Sequence, residues 1–219
     1  MSALRLAHRG DWRVAPENTL AAMAAALSLP HCDGLEFDVR GSSDGVPVLL
    51  HDATLERVQG LAVDVASLTA EELAAHGVPT LAAMLAAAGP GPFLDVELKG
   101  RPVAAVIGVL EAARGLGLER TVVSSFEPEA LAFVARARPA WPLWGNAMDL
   151  APATIDLARQ LGCSGLSVQW SSIDEDGMAR AAGAGLQVAA WTVRDVATYR
   201  RLEVLGVTAI CAEAEALDG

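Results

Sequence analysis

Two short stretches alternate strictly between apolar and charged residues, Leu35-Glu36-Phe37-Asp38-Val39 and Leu94-Asp95-Val96-Glu97-Leu98-Lys99. A period of two is that of a strand, so Glu36 and Asp38 share one face while Leu35, Phe37 and Val39 share the other. Asp95, Glu97 and Lys99 are set together in the same way. The apolar faces suit a covering layer of helices, which turns the charged faces inward. Burying that much charge is costly unless the groups pair with one another or hold a metal.

Along the rest of the chain, short β-rich runs alternate with helical ones. Candidate strands are Leu4–Ala7, Gly34–Val39, Phe93–Leu98, Thr121–Ser124, Leu143–Gly145, Gly165–Val168, Gln187–Trp191 and Val207–Cys211. Candidate helices are Thr19–Ser28, Thr80–Ala88, Pro102–Gly115, Pro128–Ala137, Pro152–Leu161, Asp174–Ala184 and Asp195–Leu205. Several of these helices open on a proline or an acidic residue suited to a helix start. Alternation of this kind predicts a parallel sheet, and eight units predict a closed (β/α)8 TIM barrel of the α/β class. An open doubly wound sheet fits less well, because no Gly-rich phosphate loop follows the first strand.

Residues 1–219 read as a single domain with a short insertion between the second and third strands. In it, Val46–Leu50 is an extra extended piece returning His51 over the barrel mouth, and residues 52–79 form a small cap. Only Ala212–Gly219 follow the eighth strand. That is too short for a full covering helix, so the last strand or first helix is expected to be covered by a second copy of the chain or left exposed.

Hydrophobic residues make up 53% of the 219, enough for a large core. The Ala-rich helices do not reach the roughly 18 uninterrupted apolar residues of a membrane span, and the N-terminus does not have the shape of a signal peptide. A soluble, cytoplasmic protein without stable membrane insertion is the expectation. The net charge of −11, from 16 Lys plus Arg against 27 Asp plus Glu, disfavours nucleic acid and anionic surfaces as partners. Cys32, Cys163 and Cys211 lack metal-ligand spacing and read as reduced thiols.

The candidate chemistry lies in five fragments near strand ends: His8-Arg9-Gly10, Glu17-Asn18-Thr19, Glu36-Phe37-Asp38, His51-Asp52 and Glu97-Leu98-Lys99. His8 and His51 can move protons near neutral pH. Glu36, Asp38 and Glu97 can hold a hard divalent cation, Mg2+ or Ca2+, which favours oxygen ligands. Arg9 can grip a phosphate bidentately and Lys99 adds a second positive charge. Each charged strand alone is equally compatible with strand-end ion pairs of a stable barrel. The arrival of two histidines and an arginine in the same register favours a reaction site. His31 and His76 lie outside these fragments and read as ordinary loop residues, and Asp95 as paired inside the barrel.

The ordered set H-R-G, E-N-T, E-x-D-V, D-G-x-P-V-x-x-H-D and E-L-K resembles the glycerophosphodiester phosphodiesterase family from His8 to about Trp191. Pro79-Thr80-Leu81, Ser124-Ser125-Phe126 and Trp191-Thr192-Val193 extend the match. The resemblance implies metal-dependent hydrolysis of a small-molecule glycerophosphodiester to sn-glycerol 3-phosphate and an alcohol. It supports Glu36, Asp38 and Glu97 as ligands and His8 and His51 as acid and base, without fixing which is which or whether water or the substrate's 2-hydroxyl attacks. It also implies Trp191 as an apolar wall for the glycerol carbons. Glu17 and Asn18 are expected to orient Arg9 or His8.

Two positions depart from the family pattern. The last strand ends in Ala212-Glu213-Ala214-Glu215 where T-D-x-P is common, and Arg194 stands where Asn is often found. These departures are expected to alter the mouth and not the metal or proton-transfer set. A lysophospholipase D-like or sphingomyelinase-like phosphodiesterase shares the same logic but needs apolar surface for acyl chains, and the cap shows no Leu-rich or aromatic stripe. A catalytically silent, phosphometabolite-binding barrel would be favoured by loss of a ligand or histidine, and none is missing.

Overall fold

The computed structural model describes residues 2–219. Its elements run β1 (Leu4–His8), α1 (Leu20–Leu27), β2 (Gly34–Gly41), β3 (Pro47–Leu49), α2 (Glu56–Gln59), α3 (Ala70–Ala75), α4 (Leu81–Ala88), β4 (Phe93–Leu98), α5 (Ala105–Arg114) and β5 (Thr121–Ser125). They continue with α6 (Pro128–Ala137), β6 (Leu143–Ala147), α7 (Pro152–Gln160), β7 (Gly165–Gln169), α8 (Glu175–Gly183), β8 (Gln187–Val193), α9 (Val196–Leu205), β9 (Ala209–Ala212) and α10 (Glu215–Asp218). Eight parallel strands follow the order β1-β9-β8-β7-β6-β5-β4-β2, and pairing of β1 with β2 closes the barrel. β3 is antiparallel to the far end of β2, with Val39 opposite Leu49. Among the described residues no helix is long and apolar enough to cross a membrane.

Local chemistry accounts for most helix starts. Thr19, Thr80, Asp174 and Asp195 each accept a backbone N–H of the first turn through the side chain, a cap worth about 1 kcal/mol. α5 begins three residues later than its sequence pattern predicts, because residues 101–104 offer no side-chain cap. β9 starts at Ala209 and not Val207, because Gly206, at φ 86°, carries Val207 back onto the end of α9 with an N–H to Leu202.

Strand alternation divides the barrel into an apolar floor and a polar mouth. Leu6, Val122, Trp144, Ala189, Ala209 and Cys211 pack inside the lower barrel. The Trp144 ring fits because position 165 is glycine, where a Cβ would stand 2.7 Å from the indole nitrogen. One side-chain layer above this floor lie the inward carboxylates, with Glu36 beside Asp95 and Asp38 beside Glu97 in the β2–β4 register. The outward faces, including Leu35, Phe37, Leu94 and Val96, are fully buried under the helices.

The insertion after β3 has its own apolar cluster of Val48, Leu50, Leu55, Val65, Leu73 and Val78. Its helices α2 and α3 are absent from the sequence reading. α3 is secured by a reciprocal cap between Thr69 and Glu72. At the other end of the chain, α10 buries Ala216 and Leu217, and every residue of β9 is buried. The last strand, expected to be covered by a second copy or left exposed, is instead buried with the help of the chain's own last residues, clamped by Arg13, whose two terminal nitrogens each reach Asp218 at 2.8 Å.

Candidate active site

The strand ends surround a cavity of about 260 Å³ lined by His8, Arg9, Glu36, His51, Glu97, Lys99, Phe126 and Trp191, among others. It opens at the C-terminal ends of the strands, where barrels of this kind carry their chemistry. Ligand atoms of Glu36, Asp38 and Glu97 all lie within 4.8 Å of one another.

The His8-Arg9-Gly10 turn depends on unusual backbone. Arg9 adopts φ 59° and Gly10 φ 84°, and a Cβ on Gly10 would lie 2.6 Å from the carbonyl carbon of Ala22. Only glycine permits that approach. The turn, pinned by Arg9 N–H donating to Glu36 O at 2.8 Å, brings Arg9 Nε to 2.9 Å from Asp38 Oδ2. Asn18, itself at φ 58°, donates from Nδ2 to the same oxygen at 2.9 Å and accepts the Asp38 N–H at 3.2 Å. Its side chain therefore orients Asp38, a metal-ligand candidate, and the contact to Arg9 expected from sequence is made by its backbone N–H, which donates to Arg9 O at 3.0 Å. Glu17 does hold Arg9, accepting from Nη1 at 3.1 Å. Nη1 is thus engaged by Glu17, whereas Nε, although 2.9 Å from Asp38, has no hydrogen-bond partner, so a bidentate phosphate grip that uses Nη1 requires the Glu17 contact to yield.

The acidic set fits a cation. Neither oxygen of Glu36 has a hydrogen-bond partner although both are buried, and the same is true of Asp38 Oδ1. Lys99 Nζ lies 2.6 Å from Glu97 Oε1 and 3.4 Å from Asp38 Oδ1. Unpartnered buried carboxylate oxygens are expensive unless something positive is meant to sit among them.

Their acidities reflect this. Burial, then Asp38 and Glu97, push Glu36 well above the usual carboxylate range. Burial and Asp38 raise Glu97 to about 7 despite Lys99. Burial also raises Asp95 to about 7, opposed by the Ser124 hydroxyl, which donates to it at 2.6 Å. Burial works against ionisation of Asp38 as well, but Arg9 and Lys99 outweigh it and hold this carboxyl low.

The two histidines are mounted alike. His51 Nδ1 lies 2.7 Å from Asp52 Oδ1, and Arg57 of α2 donates to Asp52 Oδ2 at 2.5 Å. Arg57 also reaches Glu17 at 2.7 and 2.9 Å, so the cap is tied to both His51 and Arg9. Arg40 donates twice to the His51 carbonyl, at 2.8 and 2.6 Å. Burial lowers the His51 pKa, partly offset by Asp38 and Asp52. His8 Nδ1 lies 2.5 Å from Glu213 Oε1, whose other oxygen accepts from Arg194 Nε at 2.8 Å. One departure from the family pattern, Glu213, thus contacts a candidate catalytic histidine, and the other, Arg194, holds that carboxylate, contrary to the expectation that they leave the proton-transfer set alone. The available signal was topological: in a closed barrel the last strand must pair with the first.

Trp191 donates its indole N–H to Ser167 O at 2.9 Å and meets Phe126 edge-on at 5.5 Å between centroids. Lys99 Nζ sits 5.4 Å from the Phe126 ring centre, so an aromatic wall and the cationic group adjoin. His31 and His76 are exposed and line no part of this cavity. In the cap, Leu61 and Val63 are each 36% exposed, two isolated side chains and not a stripe.

A model of the glycerophosphoryl diester phosphodiesterase family matches residues 8–214. A glycerophosphodiester phosphodiesterase of Caldanaerobacter subterraneus subsp. tengcongensis is 32% identical over 158 residues, which span 64% of this chain and 64% of that relative's length. Among solved structures, a phosphodiesterase of Oleispira antarctica in complex with the product sn-glycerol-3-phosphate has a TM-score of 0.84 at 26% identity, covering 96% of this chain and 93% of that one. The glycerophosphodiester phosphodiesterase of Thermotoga maritima shares the fold, with a TM-score of 0.84 at 22% identity over 100% of this chain and 96% of that one.

Proposed function

Because the chain belongs to the glycerophosphoryl diester phosphodiesterase family, we propose that residues 1–219 act as one catalytic domain. It hydrolyses glycerophosphodiesters to sn-glycerol 3-phosphate and an alcohol, with a divalent cation and with His8 and His51 as the proton-transfer groups. The observation that carries this reading is the convergence on one cavity of two carboxylate-mounted imidazoles and the Glu36–Asp38–Glu97 cluster.

Glu36, Asp38 and Glu97 would hold Mg2+ or Ca2+. When bound, the cation polarises a phosphate oxygen and offsets the charge that develops in the transition state. Arg9 and Lys99 bind the remaining phosphate oxygens. One imidazole takes a proton from the nucleophile, water or the substrate's own 2-hydroxyl, and the other returns one to the departing alcohol. Trp191 and Phe126 exclude water beside the glycerol carbons. The three free thiols suit a reducing, cytoplasmic compartment.

The product of the Oleispira phosphodiesterase is the one proposed here. Incubation with glycerophosphocholine tests the reading: sn-glycerol 3-phosphate and choline should appear together. Release of phosphocholine and glycerol would place the cleavage on the wrong side of phosphorus and contradict it.

A further inference from the structure

We infer that Glu213, held by Arg194, is a positioning residue that fixes His8 with its proton on Nδ1 and turns Nε2 toward the reacting phosphate. This rests on the proposed proton-transfer role of His8. Ala7 pairs with Ala212 in the β1–β9 register, so the next residues along, His8 and Glu213, come out side by side at the mouth. Glu213 is only 7% exposed, and each of its oxygens has one partner: His8 Nδ1 at 2.5 Å and Arg194 Nε at 2.8 Å.

The backbone around it is built to aim this carboxylate. Glu213 N–H donates to Val193 O at 2.8 Å and Ala216 N–H to Arg194 O at 3.2 Å, stitching the ends of β8 and β9 together. The register shift between Ala190 and Val193 belongs to the same junction. Ala214 then turns away at φ 50°, ψ −130°, a conformation costing a non-glycine residue on the order of 1–3 kcal/mol. Its carbonyl accepts from Arg13 Nη1 at 3.3 Å. Strain in a four-residue turn, clamped from outside, is retained where the orientation it imposes is used.

An ionised carboxylate only accepts hydrogen bonds, so its imidazole partner must carry the proton on Nδ1. Burial opposes ionisation of Glu213, but His8 and Arg194 outweigh it and hold the group at about 2. His8 Nε2 is then the nitrogen directed into the site, 3.7 Å from Glu36 Oε2. It takes a proton when His8 is neutral and gives one when His8 is charged, so the arrangement serves either role. Arg194 is 68% exposed at the side chain and touches neither the cavity nor His8. Its part is to fix the second oxygen of Glu213.

Nitrogen NMR of histidine-labelled protein above the ordinary histidine titration range reads the tautomer directly, with the His8 signal assigned by its loss in His8→Gln. The parent should show His8 protonated on Nδ1. Glu213→Ala should mix the tautomers and lower kcat on the order of 10²-fold, with KM within about twofold. Glu213→Gln, whose amide oxygen still accepts, should keep the tautomer and recover much of kcat. Arg194→Met should act in the same direction as Glu213→Ala but less, and the double variant should be no worse than Glu213→Ala alone.

An Nε2-protonated His8 in the parent overturns the inference, with no variant needed. So does an Nδ1-protonated His8 that persists in Glu213→Ala, or a kcat within about twofold of parent in that variant. If Glu213→Ala does not fold, the parent tautomer and the Arg194→Met kcat decide in its place. Absence of turnover in the parent would count against the proposed function and leave the tautomer result standing.

Discussion

His51 Nδ1 and Asp52 Oδ1 are 2.7 Å apart, and the second oxygen of Asp52 is taken by Arg57 of the cap. Arg57 also grips Glu17, which holds Arg9. One cap residue therefore steadies an imidazole and the guanidinium proposed to bind phosphate together. Arg57→Ala should lower kcat and raise KM at once, each several-fold, because half-exposed ion pairs are individually weak. Asp52→Asn should lower kcat alone, by more. Steady-state kinetics of the two variants on one diester check this, and an unchanged KM in Arg57→Ala would separate the cap from phosphate binding.

His8→Ala and His51→Ala should each reduce kcat on the order of 10²- to 10⁴-fold, the usual contribution of a positioned acid or base. Substrates with p-nitrophenol as leaving group need little protonation, so they should partly rescue the variant that has lost the acid. Rescue of one variant and not the other assigns the roles. Near-parental kcat for either variant on a poor leaving group would remove that histidine from proton transfer.

The raised acidities make a pH prediction. Glu97 and Asp95, both near 7, and Glu36, which burial pushes well above the usual carboxylate range, all have folded-state pKa values above those of an unfolded chain. A group raised in this way contributes stability that is fully present below the ordinary carboxylate range and is lost as pH climbs through the folded value. Asp38 is held low and does not titrate in this window. The Tm of the metal-free protein should therefore fall from about pH 5 to about pH 8, and saturating Mg2+ or Ca2+ should flatten the fall by binding the ionised ligands. Thermal unfolding across pH, with and without cation, measures it; parallel curves would mean that protons and the cation do not compete for these carboxylates.

Discrimination among choline, ethanolamine and glycerol diesters should stay within about tenfold in kcat/KM, roughly 1.4 kcal/mol. The cap's exposed large apolar residues, Leu61 and Val63, are too few to hold an acyl chain. Measured beside lysophosphatidylcholine, the three diesters should be preferred; a clear preference for the lysolipid would favour the lysophospholipase D-like reading.

The barrel was legible from its eight alternating strand and helix units, and the acidic cluster from period two: Glu36 and Asp38 in one strand and Glu97 in the next each announce an inward face. The two arginine-backed carboxylates were harder to read. Glu213 meets His8 across 205 positions of sequence, a contact set by barrel closure and by the sharp turn at Ala214, neither of which leaves a local pattern. Arg57 comes from a helix of four residues, α2, too short to show periodicity. Sequence adjacency points Asn18 to Arg9, which it reaches with its backbone N–H, whereas its side chain bonds Asp38, a contact that adjacency does not show.

The most direct test of cation-dependent diester hydrolysis is turnover of glycerophosphocholine by protein stripped with chelator, verified metal-free by elemental analysis, and then titrated with Mg2+ or Ca2+. Activity should vanish on stripping, because no cation is then present to offset the charge that develops on the phosphate. It should return on metal addition with release of sn-glycerol 3-phosphate, and Glu36→Gln should require far more metal for the same rate. Full turnover by verified metal-free protein would contradict the account.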